Sequence, residues 1–282
     1  MTRQQNGARR SVLAKAPVTA RRTGYLTGFF KKTFAIAAME LTKLRHDPTE
    51  LFTRAIQPTL WLLLFGQVFS HARAIPTGSL RYIDFLAPGI LAQSVLFIAI
   101  FNGISIIWER DQGIVYKFLA SPTPRSALVL GKAVSAGVRG LSQTVIIYLL
   151  GLLLGISFNW HPLALMGVMT FVFLGAALFS TFSLIVACWV KTRERFMGVG
   201  QVLTMPLFFA SNAIYPVAMM PHWLQRISHL NPLTYQVDGL RSLMLTGSIA
   251  GSLGLWLDLA VLLAALTGLV MISAWLYPNI AR

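Results

Sequence analysis

The stretch Leu86-Ala-Pro-Gly-Ile-Leu-Ala-Gln-Ser-Val-Leu-Phe-Ile-Ala-Ile-Phe-Asn-Gly-Ile-Ser-Ile-Ile-Trp108 holds no charged side chain. A helix needs about 20 mostly apolar residues to cross the hydrocarbon core of a bilayer. Lipid offers no partner to backbone N–H and C=O groups, so a segment of this kind must satisfy them within itself as a helix. The stretch therefore predicts a transmembrane helix. Five others surround it: Arg54–Ser70, Leu128–Ser157, Pro162–Val190, Phe196–Val217 and Leu253–Leu276. The chain of 282 residues is 55% hydrophobic and only 12% charged, about half the charge of a soluble domain. The expected fold is an all-α membrane protein with six transmembrane helices.

Charge sets the orientation. Of the 24 Lys and Arg, eleven lie in residues 1–54, five between Glu109 and Arg139, three between Lys191 and Arg195, and one is Arg282. The loops that alternate with these segments hold the remaining four. The positive-inside rule places the richer set, and with it both termini, in the cytoplasm; the membrane expected is a bacterial inner membrane rather than an organellar one. This bias accounts for the net charge of +15 without a nucleic-acid partner. Cys188 is the only cysteine and reads as a small buried apolar residue. The five histidines are scattered, so no metal site is expected.

Residues 1–28 are polar, rich in Arg and free of acids. They read as a disordered tail drawn to anionic headgroups; an organellar transit peptide shares the composition. Neither Arg-Arg pair precedes a cleavable apolar segment, so no secretory signal is expected. Residues 29–48 read as an amphipathic interface helix. Phe30, Phe34, Ala37, Ala38, Leu41 and Leu44 recur at helical spacing, with Lys31, Lys32 and Lys43 elsewhere on the wheel. Residues 49–282 form one transmembrane domain.

Before the last stretch, Tyr215–Gly251 is partly apolar but broken by Pro216, Pro221 and Pro232. Irregular backbone at membrane depth is tolerated only when buried in protein or lining a cavity. The segment is expected to form an external re-entrant hairpin of two short helices, with Asn231-Pro232 at a helix start. Within the spans, Arg139 is placed to snorkel toward the cytoplasm and Asp258 to sit at the outer interface. Gln93, Asn102, Gln143 and Gln201 are candidates for bonds between helices. The Gly151/Gly155 pair has the spacing of a close helix contact. No row of midplane carboxylates marks a proton relay, which weighs against a stand-alone ion-coupled transporter. Only Glu109 and Asp111 cluster as acids, too few for a lipid-modifying enzyme. No phosphate-binding G-x-x-x-x-G-K-[ST] occurs, so a pump built on this chain draws ATP energy from a partner.

Two motifs carry a family resemblance. The first is Trp108-Glu-Arg-Asp-Gln-Gly-Ile-Val-Tyr-Lys-Phe-Leu-Ala-Ser-Pro-Thr-Pro-Arg125, followed by Gly131-Lys132. The second is Leu230-Asn-Pro-Leu-Thr-Tyr-Gln-Val-Asp-Gly-Leu-Arg241. Together they resemble the cytoplasmic loop and the external motif of ABC-2 type transporter permeases, most closely the daunorubicin-resistance and multidrug branch. The resemblance implies a permease subunit rather than an enzyme. It implies export of a hydrophobic or amphipathic drug, lipid or glycolipid from the cytoplasm or inner leaflet. A polysaccharide or O-antigen exporter shares the motifs. ATP and magnesium would sit on two copies of a separate ABC ATPase, no cofactor on this chain, and a second permease, most simply an identical copy, would pair with it. The resemblance further implies that residues 29–46 rest on the ATPase. Glu109, Arg110, Gly113 and Lys117 would form the main coupling helix, and Arg193, Glu194 and Arg195 a second contact. Asn231, Pro232, Tyr235, Asp238 and Arg241 would close the outer end of the path. Phe97, Phe101, Phe208 and Phe209 are candidates to line it. A Glu109→Lys reversal is expected to uncouple the pump at the ATPase interface.

Overall fold

The computed structural model describes residues 56–72, 75, 80–120, 125–190, 192–246 and 253–277. The basic tail and the amphipathic helix expected over 29–48 lie outside them. The described residues form ten α-helices in chain order, with a 3-10 turn at Val217–Met219 between the seventh and eighth. They are α1 (Ile56–Ser70), α2 (Tyr82–Phe101), α3 (Gly103–Asp111), α4 (Ile114–Ala120), α5 (Arg125–Leu153), α6 (Pro162–Trp189), α7 (Arg193–Phe209), α8 (His222–Leu230), α9 (Pro232–Met244) and α10 (Leu255–Leu276). A π-helical stretch, Trp61–Phe65, interrupts α1.

Four of these are long and apolar enough to cross a membrane: Tyr82–Asp111, which joins α2 and α3, then α5, α6 and α10. α1 and α7 are shorter. α7 stops at Phe209 instead of running to Val217. Its last carbonyls turn back on themselves: Ala210 N–H donates to Pro206 O at 2.9 Å and Ser211 Oγ to Phe208 O at 2.7 Å. α5 stops at Leu153 rather than Ser157 because Gly155 adopts φ 66°. Gly155 N–H then meets Leu152 O and Ile156 N–H meets Gly151 O, at 3.2 and 2.8 Å, the paired bonds of a Schellman stop. The spacing of Gly151 and Gly155 thus serves a helix end. A Cβ on Gly151 would stand 2.1 Å from the Phe158 ring that folds back over it.

The bundle is built around α2 and α6, whose apolar windows are each 72% buried. α6 packs against α2, α5, α9 and α10. Short α9 belongs to this core: Leu233, Val237, Leu240 and Met244 recur at three-to-four spacing and are fully buried, the stripe of a helix wrapped on one side. It approaches α6 closely. A Cβ on Gly239 would lie 2.1 Å from the Phe171 ring, and one on Gly175 would lie 2.2 Å from the Gln236 amide. α8 buries only Ser228. The two short helices expected before the last span are present, and Asn231 caps the second by accepting from Leu233 N–H at 3.0 Å.

The topology gathers the motifs at opposite ends. The α3–α4 turn and the start of α7 meet at one end, the loop end. The start of α2, the α5–α6 connection, the end of α7 and all of α8–α9 meet at the hairpin end, where Asn159 N–H pairs with Met244 O at 2.7 Å.

Candidate functional site

At the loop end, Gly113 takes φ 72° and turns the chain from α3 into α4. The short helix expected after the acidic-basic run is there. Its Val115 is fully buried with Ile106, Leu128, Val129, Leu184 and Tyr277, which leaves Tyr116 and Lys117 outward and exposed. Glu109 does not face outward. Its carboxylate accepts from Lys132 Nζ on α5, with the two side chains only 21% and 14% exposed. Asp111 joins the two loops. It takes Arg110 at 3.2 Å and Arg193 at 3.3 Å, while the Arg193 guanidinium lies over the Trp108 ring at 4.3 Å, within cation–π range. Thr192 caps α7 by accepting from Arg195 N–H at 3.4 Å. Glu194 and Arg195 stand exposed beside this junction.

At the hairpin end, Thr234 of the Asn-Pro-Leu-Thr-Tyr…Asp…Arg motif meets the Ser228 hydroxyl at 3.1 Å, and Asn231, Tyr235, Asp238 and Arg241 each tie down backbone. Asn231, besides capping α9, donates to Leu207 O at 2.6 Å. Pro232 occupies the first turn of α9, where its missing N–H costs nothing. Tyr235 donates to His229 O at the end of α8, at 2.7 Å. Asp238 accepts from Leu253 N–H at 2.7 Å, just before α10. Arg241 donates to Asn212 O at 2.7 Å and stacks on the Phe85 ring at 3.8 Å. Helix ends leave carbonyls without intrahelical donors, and Asn231 and Arg241 supply donors where α7 breaks off. Tyr82 adds a third, to Ile214 O at 3.1 Å. Burial pulls the Arg241 guanidinium down to about 10 against the opposing pull of Asp238 and Tyr82. Burial also raises the Asp238 carboxyl above its ordinary value, opposed by the Leu253 N–H and by Arg241.

The family described as ABC-2 type transporter matches residues 31–245. The chain belongs to this family. Both motifs lie inside the match, and α10 lies beyond it. Transport permease ycf38 of Cyanophora paradoxa is 32% identical over 217 residues, 76% of this chain and 74% of that protein. The daunorubicin resistance ABC transporter permease protein DrrB1 of Streptomyces coeruleorubidus is 27% identical over 238 residues, 84% and 81% of the two chains. Inner membrane transport permease YadH of Escherichia coli K12 is 27% identical over 190 residues, 66% and 72% of the two. ABC-2 permeases are transport subunits that work with ABC ATPases, not enzymes.

In this ABC-2 permease several interior residues differ from their expected settings. Arg139 turns inward instead of snorkelling: it donates to Asn102 Oδ1 at 3.0 Å, and Asn102 Nδ2 donates to Ser180 Oγ at 3.3 Å. This joins α5 and α6 at the junction of α2 and α3. Asp258 lies in the first turn of α10, at the end of that span, but does not face outward. It is fully buried where α9 covers the start of α10. Among the path candidates, Phe97 and Phe101 stack with ring centroids 6.1 Å apart. Phe208 is enclosed between Trp61 and Phe209, at 5.6 and 5.3 Å, whereas Phe209 is 43% exposed. Beside them an apolar crevice of about 360 Å³ opens between α6, α7 and α10, lined by Phe179, Phe182, Leu207, Pro232 and Leu269 among others. Asn102, a candidate for bonds between helices, makes them; Lys132 and Ser180 were not given a role by sequence. Their partners lie 23 to 78 residues away, beyond any local spacing rule.

Proposed function

We propose that this ABC-2 permease is the transmembrane half of an ATP-driven exporter for a hydrophobic or amphipathic substrate, a drug, lipid or glycolipid. Two copies of the chain pair, and two ATPase subunits dock at the loop end. In this reading the loop end is cytoplasmic, in a bacterial inner membrane. α1 and α7 complete six crossings, and α8–α9 form the re-entrant hairpin that closes the outer end.

The observation that carries the reading is the joined platform at the loop end. Arg193 is held to Asp111 and Trp108, so the α3–α4 element and the start of α7 move as one. Lys117, Glu194 and Arg195 are the exposed members available to a partner. Glu109 acts from inside, by fixing α3 on α5 through Lys132. ATP-driven movement of the platform is thereby passed to α5 and α6, and through them to α9. The name of the Streptomyces relative supports a drug-like cargo, as does the apolar crevice beside Phe182 and Leu207. The bare apolar side chains Leu64, Val68 and Val202 on α1 and α7 suit a second copy of the chain.

The test is co-purification in lipid nanodiscs with the ATPase encoded beside this chain, followed by ATPase rate against lipids, glycolipids and amphipathic drugs. A stable complex whose rate responds to one class supports the exporter and names its cargo. Failure to bind any candidate ATPase rejects it.

A further inference from the structure

We propose that Asp238 on α9 and Asp258 on α10 form a proton-binding site, one proton shared by two carboxyl groups, which fastens the hairpin to the last span. The site does not depend on what the permease transports.

The two side chains are 3% and 0% exposed, and their carboxyl groups lie within hydrogen-bonding reach of each other. Asp238 has a donor in Leu253 N–H. Neither oxygen of Asp258 meets a donor among the described residues. A buried carboxylate without a donor is costly, on the order of several kcal/mol for the charge alone. Two ionised carboxylates side by side cost more. A single proton removes both penalties, because the resulting O–H of one carboxyl donates to the other.

The surrounding charges favour the same state. α9 contributes Asp238 and Arg241, and α2 contributes Tyr82 together with Asp84, whose charge is balanced by Arg81 at 2.9 Å. α6 carries no charged side chain, the only charge on α10 is Asp258, and α5 offers at this end only Tyr148. The guanidinium of Arg241 is committed to Asn212 O and the Phe85 ring. With one proton on the pair, one carboxylate balances one guanidinium. Without it, two buried negative charges face one positive. Asp258 lies in the first turn of α10, where the helix dipole favours an anion, but by only about 0.3–1 kcal/mol. Desolvation outweighs that. The proton belongs to the pair, with the Leu253 N–H marking Asp238 as the member that stays ionised. Its loss sets like charges across the seam between α9 and α10 and releases the hairpin.

The test uses the full-length chain in nanodiscs, as wild type, Asp258→Asn and Asp238→Asn. Infrared spectra at neutral pH are expected to show the C=O stretch of a protonated carboxyl in the wild type and to lose it in both variants. The wild-type melting temperature is expected to fall as pH rises, because the folded state then binds more protons than the unfolded state. Asp258→Asn, which keeps a neutral donor at every pH, flattens that slope. Persistence of the band in both variants, or a wild-type slope in Asp258→Asn, overturns the proposal. So does a melting temperature that shifts when sodium replaces potassium at fixed pH, which assigns the pair to a metal cation. If Asp258→Asn does not fold, the wild-type band and its loss in Asp238→Asn decide.

Discussion

At the loop end Glu109 meets Lys132 and Asp111 meets Arg193; at the hairpin end Asp238 meets Asp258, and Arg241 turns to a carbonyl and an aromatic face. The first arrangement matches acids with bases in places that water still reaches in part. The second holds Asp238, Asp258 and Arg241 almost wholly buried and outside any acid–base ion pair among the described residues, beside an Arg81–Asp84 pair at 2.9 Å whose arginine is 54% exposed. Partly exposed pairs are weak and easily remade, as suits a surface that docks and moves. Buried groups are locked to particular backbone atoms, as suits a closure that must hold until something changes its protonation or its packing. The same difference separates the energies at stake, since an exposed pair such as Asp111–Arg193 contributes at most about 1 kcal/mol and leaving a buried charge uncompensated costs about 3–5 kcal/mol.

The largest expected effect is at the hairpin end. Arg241→Ala leaves Asn212 O without its donor and the carboxyl pair without its counter-charge, and is expected to cost about 3–5 kcal/mol. Thermal unfolding in nanodiscs measures it. Arg241→Lys is expected to recover less than half, because an ammonium lacks the planar face that stacks on Phe85. An Arg241→Ala protein as stable as wild type would erase the contrast between the ends.

Next is the inner pair of the loop end. The sequence suggested that Glu109→Lys acts at the ATPase interface, but the structure sets the new cation against Lys132 within the same subunit. The expected loss is about 3 kcal/mol. The exchange Glu109→Lys with Lys132→Glu is expected to restore most of the stability and of the coupled ATPase rate. Restored stability without restored coupling would return Glu109 to a direct role at the ATPase.

The smallest effect is at Arg193→Ala. Both partners of its ion pair are 43% exposed, so the stability loss is expected to stay below about 1 kcal/mol and to shrink with added salt. Substrate-stimulated ATPase activity is expected to fall further than stability, because the link between the two loops is lost. A loss as large as that of Arg241→Ala would show that the loop end is as rigid as the hairpin.

Local chemistry made much of this legible. The apolar run from Pro162 gave α6 to within one residue, and Asn231-Pro232 gave the start of α9 through its cap. The ends of α5 and α7 were misplaced because apolar composition continues past them. Gly155 stops one, and a tight turn beyond Pro206 stops the other, with side chains from α9 satisfying the freed carbonyls. The outer motif was legible only as a resemblance. The Tyr235 contact with His229 is local, but those of Asn231, Asp238 and Arg241 depend on backbone 15 to 29 residues away that no spacing rule brings together.

Sequence by itself determined that this is a helical membrane protein of the ABC-2 kind. Chain length, apolar runs and charge placement are local properties that a bilayer selects directly. It did not determine which helix lies inside. α6 and α10 are equally apolar, yet 72% of one and 17% of the other is buried. Lipid and protein interior ask for the same side chains, so only the packing of α2, α5 and α9 around α6 separates them. The same packing decided that Asp258, one acid in an apolar run, meets a second acid instead of water.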